Sequence, residues 1–123
     1  MDKKRILMAE DEPHIARLIQ FKLEREGFDV TWAKDGGEAL SAVMEVIPDL
    51  VLLDVMMPVM DGFDVLKKIR ENSSTAGIPV IMLTAKGQTE DVEKGFDLGT
   101  DDYIIKPFRP AELVARVKSK LKA

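Results

Sequence analysis

Leu50-Val51-Leu52-Leu53-Asp54 is the stretch whose reading decides how this chain folds. Four consecutive apolar residues leave neither face of the segment for water. It therefore reads as a strand covered on both sides, not as one half-exposed in an open antiparallel sheet. Such a strand needs helices above and below it, and the flanking sequence supplies them. Upstream, Leu40, Val43, Met44 and Ile47 recur at helical spacing until Pro48 stops the run. Downstream, the loop Val55 to Gly62 contains Pro58 and leads into a helix carrying Phe63, Leu66 and Ile69.

The same alternation extends to both ends of the chain. Ile6-Leu7-Met8-Ala9 is a strand that stops at Glu10-Asp11-Glu12. Pro13 then opens a helix with Ile15, Leu18, Ile19 and Leu23 on one face, and Gly27 is its C′ residue. A short strand sets Phe28, Val30 and Trp32 against Asp29, Thr31 and Ala33, before the Asp35-Gly36-Gly37 turn. Ile78 to Leu83 is a fourth strand ending at Thr84, and a looser helix runs from about Gln88 to Leu98. Tyr103-Ile104-Ile105 is a fifth strand ending at Lys106-Pro107; the last helix carries Leu113, Val114, Val117 and Leu121. Strand–helix alternation of this kind predicts an α/β fold, with a five-stranded parallel sheet and helices on both faces. The expected strand order is 2-1-3-4-5, the flavodoxin-like doubly wound arrangement. Nothing divides the chain, so residues 1–123 read as a single domain.

Composition narrows the function. With 22 acidic against 18 basic residues, the net charge of −4 disfavours direct binding of nucleic acid by this chain. The absence of cysteine removes disulfides, thiolate metal sites and a cysteine nucleophile. No apolar run approaches the roughly 20 residues of a membrane span, and no secretory leader is evident, so a cytoplasmic location is expected.

The informative residues stand at the strand ends. Glu10 and Asp11, Asp54, Thr84 and Lys106 each follow the last apolar residue of strands one, three, four and five. That is the carboxyl edge of a doubly wound sheet, where ligands bind at the switch point between strands one and three. Neighbouring strands lie about 4.8 Å apart, so these side chains should converge. Clustered carboxylates repel one another unless a cation joins them. Their hard oxygen donors suit Mg²⁺; Zn²⁺ would want His or Cys. A carboxylate is a competent nucleophile toward phosphorus, and phosphoryl transfer asks mainly for positioning and charge neutralisation. Mg²⁺, the Lys106 ammonium and the Thr84 hydroxyl would supply that.

At Ile6 to Glu12, Leu50 to Gly62, Val80 to Ala85 and Gly99 to Phe108 the chain resembles the response-regulator receiver family of two-component signalling. The resemblance covers nearly the whole chain. It implies that Asp54 is the phosphoacceptor, served by a sensor histidine kinase or phosphotransfer protein. It also implies that Asp11 binds Mg²⁺ directly, Glu10 binds it through water and Met56 through its backbone carbonyl. Lys106 would pair with the phosphoryl group, and the Lys106–Pro107 bond would be cis. Thr84 and Tyr103 would form a switch, the ring turning inward on phosphorylation and altering the surface of the fourth helix, fifth strand and fifth helix. Asp97, Asp102, Glu112, Arg116 and Lys118 resemble acid–base pairs through which such domains dimerise there, although Val92 stands where a basic partner for Glu112 is common. The expected output is a phosphorylation-dependent homodimer, or control of a partner or attached domain.

Simpler readings apply to several residues. Glu12 reads by itself as a helix N-cap, Thr84 as a cap of the following helix, and Tyr103 as an edge-strand residue. His14 reads as solvated surface, Lys86 as either a loop residue or a shield of the phosphoryl group, and Trp32 as core filling. The alternative is a metal-dependent phosphatase using Asp54; haloacid-dehalogenase-like enzymes of that kind place a second Asp two residues after the nucleophile, as general acid and base, and Met56 stands there. The chain therefore reads as a phosphoacceptor switch, not an enzyme of turnover. No Gly-rich phosphate loop follows the first strand, as a nucleotide-binding module would require.

Overall fold

The structure is a computed structural model that describes residues 3–85 and 89–121, without the side chains of residues 89–92. Ten elements alternate along the chain: β1 (Arg5–Ala9), α1 (Pro13–Arg25), β2 (Asp29–Ala33), α2 (Gly36–Val46), β3 (Leu50–Asp54), α3 (Gly62–Glu71), β4 (Val80–Ala85), α4 (Thr89–Leu98), β5 (Asp102–Lys106) and α5 (Pro110–Leu121). The strands form one sheet in the order β2-β1-β3-β4-β5, and every neighbouring pair is parallel. The α/β class, the order and the central place of β3 agree with the expectation.

All five residues of β3 are buried. Strand alternation sends Val51 and Leu53 to one face and Leu50 and Leu52 to the other. Val51 and Leu53 pack among Ala39 and Val43 of α2 and Phe63, Leu66 and Ile69 of α3. Leu50 and Leu52 pack among Ala16, Ile19 and Leu23 of α1 and Leu113 and Val117 of α5. This two-sided covering is what the unbroken apolar run requires.

Several local expectations shift. β4 begins at Val80, not at Ile78. Ile78 donates to the Thr75 carbonyl in the turn after α3, and Pro79, with no N–H, offers only its carbonyl to Val51. α2 ends at Val46; Ile47 adopts a left-handed conformation with φ 49° and is exposed, leaving the helical face on which it was expected. Leu18 is likewise exposed, and Ala16 and Ala39 take core positions that larger residues were expected to hold. In β2 the alternation fails at the end, where Trp32 is half-buried and Ala33 buried. Lys86 and Gln88, and the Val92 side chain, lie outside the described residues.

Gly62 sets the position of Asp54. A Cβ there would collide with the Asp54 carbonyl oxygen and the Val55 Cα. Only glycine lets the start of α3 close this tightly on the end of β3, and Gly62 N–H seals the junction by donating to the Val55 carbonyl at 2.8 Å.

Candidate functional site

Glu10, Asp54 and Lys106 meet at the carboxyl edge, arriving from β1, β3 and β5. By strand alternation they continue the rows of Met8, Leu52 and Ile104, all on the α1 and α5 side of the sheet. The Lys106 ammonium lies 2.9 Å from Asp54 Oδ2 and 3.0 Å from Glu10 Oε1. It reaches both by spanning β4, where its register partner is the small Ala85. Backbone amides take the remaining carboxylate oxygens. Met56 N–H donates to Asp54 Oδ1 at 3.2 Å, and Glu12 N–H donates to Glu10 Oε2 at 3.1 Å. Glu12 occupies the N-cap position of α1, but its side chain makes no capping bond. The expected cap is absent, and it is the Glu12 amide that serves the site.

Glu10 is fully buried and Asp54 nearly so, whereas Asp11 is exposed beside them. One oxygen from each of the three carboxylates lies within 4.8 Å of the others. Burial, followed by the Asp54 carboxylate next to it, pushes Glu10 up from 4.5 to about 7, against the opposing pull of Lys106. Burial pulls Lys106 down, but its bonds to Asp54 and Glu10 outweigh that, and its net displacement is upward. One ammonium thus fails to balance the cluster. Buried hard oxygen donors short of positive charge are a donor set that fits Mg²⁺.

The raised Glu10 has a consequence for the metal-free protein. The folded state holds this proton up to about pH 7, whereas the unfolded chain releases it near 4.5. The contribution to stability is therefore complete below about 4.5 and is lost as the pH rises through 7. Its size is on the order of 3 kcal/mol. Urea denaturation with chelator present should show stability falling between pH 5 and pH 8, and the fall should vanish in Glu10→Gln. Equal slopes in the two proteins would contradict the assignment.

Thr84 and Tyr103 are both buried on the opposite face of the sheet, Thr84 continuing the row of Val80 and Met82 and Tyr103 standing opposite Met82 in β5. Thr84 directly follows Leu83, the register partner of Asp54, and is part of β4, not a helix cap. Tyr103 packs edge-on against Phe96 at 5.5 Å, and its hydroxyl lies where a Cβ on Gly95 would stand. The ring is therefore already inward, and Gly95 is what makes room for it. The Lys106–Pro107 bond is cis. His14 is exposed, as expected.

The acid–base residues on α5 and β5 find partners within the chain. Arg116 grips both Asp102 oxygens at 3.0 Å and reaches Glu112 at 3.4 Å, while Lys118 pairs with Glu26. Trp32 packs against the core on the α1 and α5 side, as its reading has it, and its indole N–H also donates to the Glu10 carbonyl at 2.7 Å. Nothing in residue spacing signals this bond or the Lys118–Glu26 pair. Among the described residues, no helix is long and apolar enough to cross a membrane.

Comparison with known proteins agrees with this geometry. The response regulator receiver domain model matches residues 6–118. The DNA-binding response regulator MtrA of Mycolicibacterium smegmatis is 49% identical over 120 residues, covering 98% of this chain and 51% of that protein. The transcriptional regulatory protein ResD of Bacillus subtilis is 47% identical over 98% of this chain and 49% of its own length. This chain thus spans about half the length of those relatives. The chemotaxis response regulator CheY4 of Vibrio cholerae superposes with a TM-score of 0.92 at 31% identity, covering 98% of this chain and all of that one. With an acidic crevice at the switch point of a β2-β1-β3-β4-β5 sheet and a receiver model matching from β1 into α5, the chain belongs to the response regulator receiver domain family of two-component signalling.

Proposed function

We propose that Asp54 is the phosphoacceptor of this receiver and that its phosphorylation requires Mg²⁺. The observation that carries the reading is the position of Lys106, 2.9 Å from Asp54 Oδ2, beside a carboxylate cluster that one ammonium does not neutralise. Asp11, Asp54 and the Met56 carbonyl would hold the ion directly, and Glu10 would hold it through water. When bound, the ion neutralises charge on the phosphoryl oxygens. An Asp54 oxygen attacks phosphorus, the bond to the donor's imidazole nitrogen breaks, and the donor leaves with that electron pair. Lys106 follows the charge that moves onto the phosphoryl group, and the Met56 amide keeps the attacking carboxylate oriented. The Thr84 hydroxyl supplies a further donor at the end of β4.

The donor would be a sensor histidine kinase or a phosphotransfer protein. A groove of about 350 Å³ lined by Ile15, Leu18, Pro107 and Phe108 opens beside Lys106 and offers it an apolar landing. Met56, two residues after the nucleophile, is no general acid. That favours an acceptor that stores the group over a phosphatase that turns it over. Residues 1–123 act as one such unit in this reading.

The output would be a changed α4–β5–α5 face, with Thr84 and Tyr103 linking it to Asp54. A homodimer through that face would require Arg116 to exchange its bonds to Asp102 and Glu112 within the chain for bonds across the dimer. Amide spectra recorded with Mg²⁺ and beryllium fluoride test this together with sedimentation. Shifts should appear at Asp54, Thr84, Tyr103 and along β5 and α5, with a rise in sedimenting mass. A response confined to the Asp54 neighbourhood would remove the switch, and an unchanged mass would remove the dimer.

A further inference from the structure

Trp32 reaches from β2 into the backbone of the carboxylate cluster by its side chain. Its indole N–H donates to the Glu10 carbonyl at 2.7 Å, and the next residue, Ala33, accepts from the Glu10 N–H at 3.1 Å. The end of β2 therefore holds both backbone polar groups of Glu10. Lys106 and the Glu12 amide hold the two oxygens of its side chain. The indole bond is shorter than the usual 2.9–3.0 Å of an N–H to oxygen contact. On its outer side, the Lys34 ammonium sits 5.9 Å from the ring centroid, and on its inner side the ring packs against the α1 and α5 core. A half-buried strand end needing only apolar area would be served by Phe or Leu. Trp adds an N–H donor that neither of them carries.

We propose that Trp32 is a positioning residue for the divalent-cation site. Its indole pins the Glu10–Asp11 turn against the repulsion between these carboxylates and Asp54. Unpinned, like charges would relax apart and the cation would have to draw them together again. Held in place, they present their oxygens at a fixed separation before the ion arrives. The inference rests on reading Glu10, Asp11 and Asp54 as that site.

Trp32→Phe keeps an aromatic ring and removes only the donor, so it tests the idea. Calorimetric titration with Mg²⁺ should give a Kd raised about fivefold to tenfold. The melting temperature of the metal-free protein should change little. In acetyl phosphate labelling, the half-saturating Mg²⁺ concentration should rise by the same factor while the rate at saturation holds. In the unaltered protein, which has a single Trp, the indole ¹⁵N–¹H signal should shift during the titration with the calorimetric midpoint. An unchanged Kd in the variant overturns the proposal, whatever happens to its stability. So does an indole signal that stays fixed while Mg²⁺ binds, even if the variant does not fold. No binding of Mg²⁺ by the unaltered protein instead defeats the cation-site reading, and this inference with it.

Discussion

Asp54→Asn should abolish Mg²⁺-dependent phosphorylation and at the same time make the metal-free protein more stable near neutral pH. The first effect follows from chemistry, since the amide is no nucleophile toward phosphorus and brings no charge to the cation. The second follows from the electrostatics of the crevice. Glu10 is pushed up to about 7 by burial and by Asp54, with Lys106 shared between the two carboxylates. Removing the Asp54 charge leaves one buried carboxylate facing one ammonium at 3.0 Å, a pair that can ionise without conflict. The amide keeps the shape of the carboxyl, but its single oxygen can accept from Met56 N–H or from Lys106, not both, and Glu10 remains as the partner of Lys106. Denaturation at pH 7.5 with chelator should give a higher midpoint for the variant. Added Mg²⁺ should stabilise the unaltered protein far more than the variant. A site that gains stability when its reactive group is removed is one built for function at a cost in stability. A lower midpoint for Asp54→Asn in the absence of metal would contradict this account of the crevice.

Lys106→Met should be the most damaging change outside Asp54. The ammonium is the only side-chain cation bonded to Glu10 or Asp54 among the described residues, and it touches both. Without it, the labelling rate from acetyl phosphate should fall by about a hundredfold or more, the usual scale for losing one charge-stabilising donor. Stability should fall as well, and the pH dependence identifies the cause. At pH 5, Glu10 can carry a proton, which relieves its repulsion with Asp54. At pH 8, both carboxylates face each other unpaired. Breaking a buried ion pair by removing one partner costs about 3–5 kcal/mol, so the loss should approach that figure only at the higher pH. Urea midpoints at the two pH values measure it. A loss of equal size at both would show that Lys106 acts through packing of its alkyl chain across Ala85 instead.

The fold was legible in the sequence because its strongest signals are not local. The run Leu50 to Leu53 has no polar side, and this alone demands covering on both faces. Five strand–helix alternations then leave little freedom in topology. The convergence of Glu10, Asp11, Asp54 and Lys106 followed from their shared position at strand ends, whereas Thr84, expected with them, continues the row of Val80 and Met82 on the other face. What was not legible depends on neighbours distant in sequence. Ile47 and Leu18 fit an apolar helical stripe, but α2 ends in a left-handed turn and Ala16 faces the sheet, so both larger residues are exposed. Gly95 is a poor helix former by residue type, and only the Tyr103 hydroxyl beside it gives the reason for its place in α4. Trp32 was indistinguishable from core filling, because spacing cannot show that an indole N–H points at the carbonyl of a residue in β1. Glu12 had the residue type and place of a cap, and only the geometry shows its amide turned to Glu10.

The central claim is that one phosphoryl group rests on Asp54. It is tested most directly by incubating the protein with acetyl phosphate and Mg²⁺, trapping the product with borohydride, and locating the change by peptide mass. Borohydride reduces an aspartyl phosphate to homoserine, which marks the residue permanently. The account predicts a single modified position, Asp54, with no modification when Mg²⁺ is chelated. Modification at His14, at Asp11 or at a hydroxyl residue, or equal labelling without the metal, would contradict it.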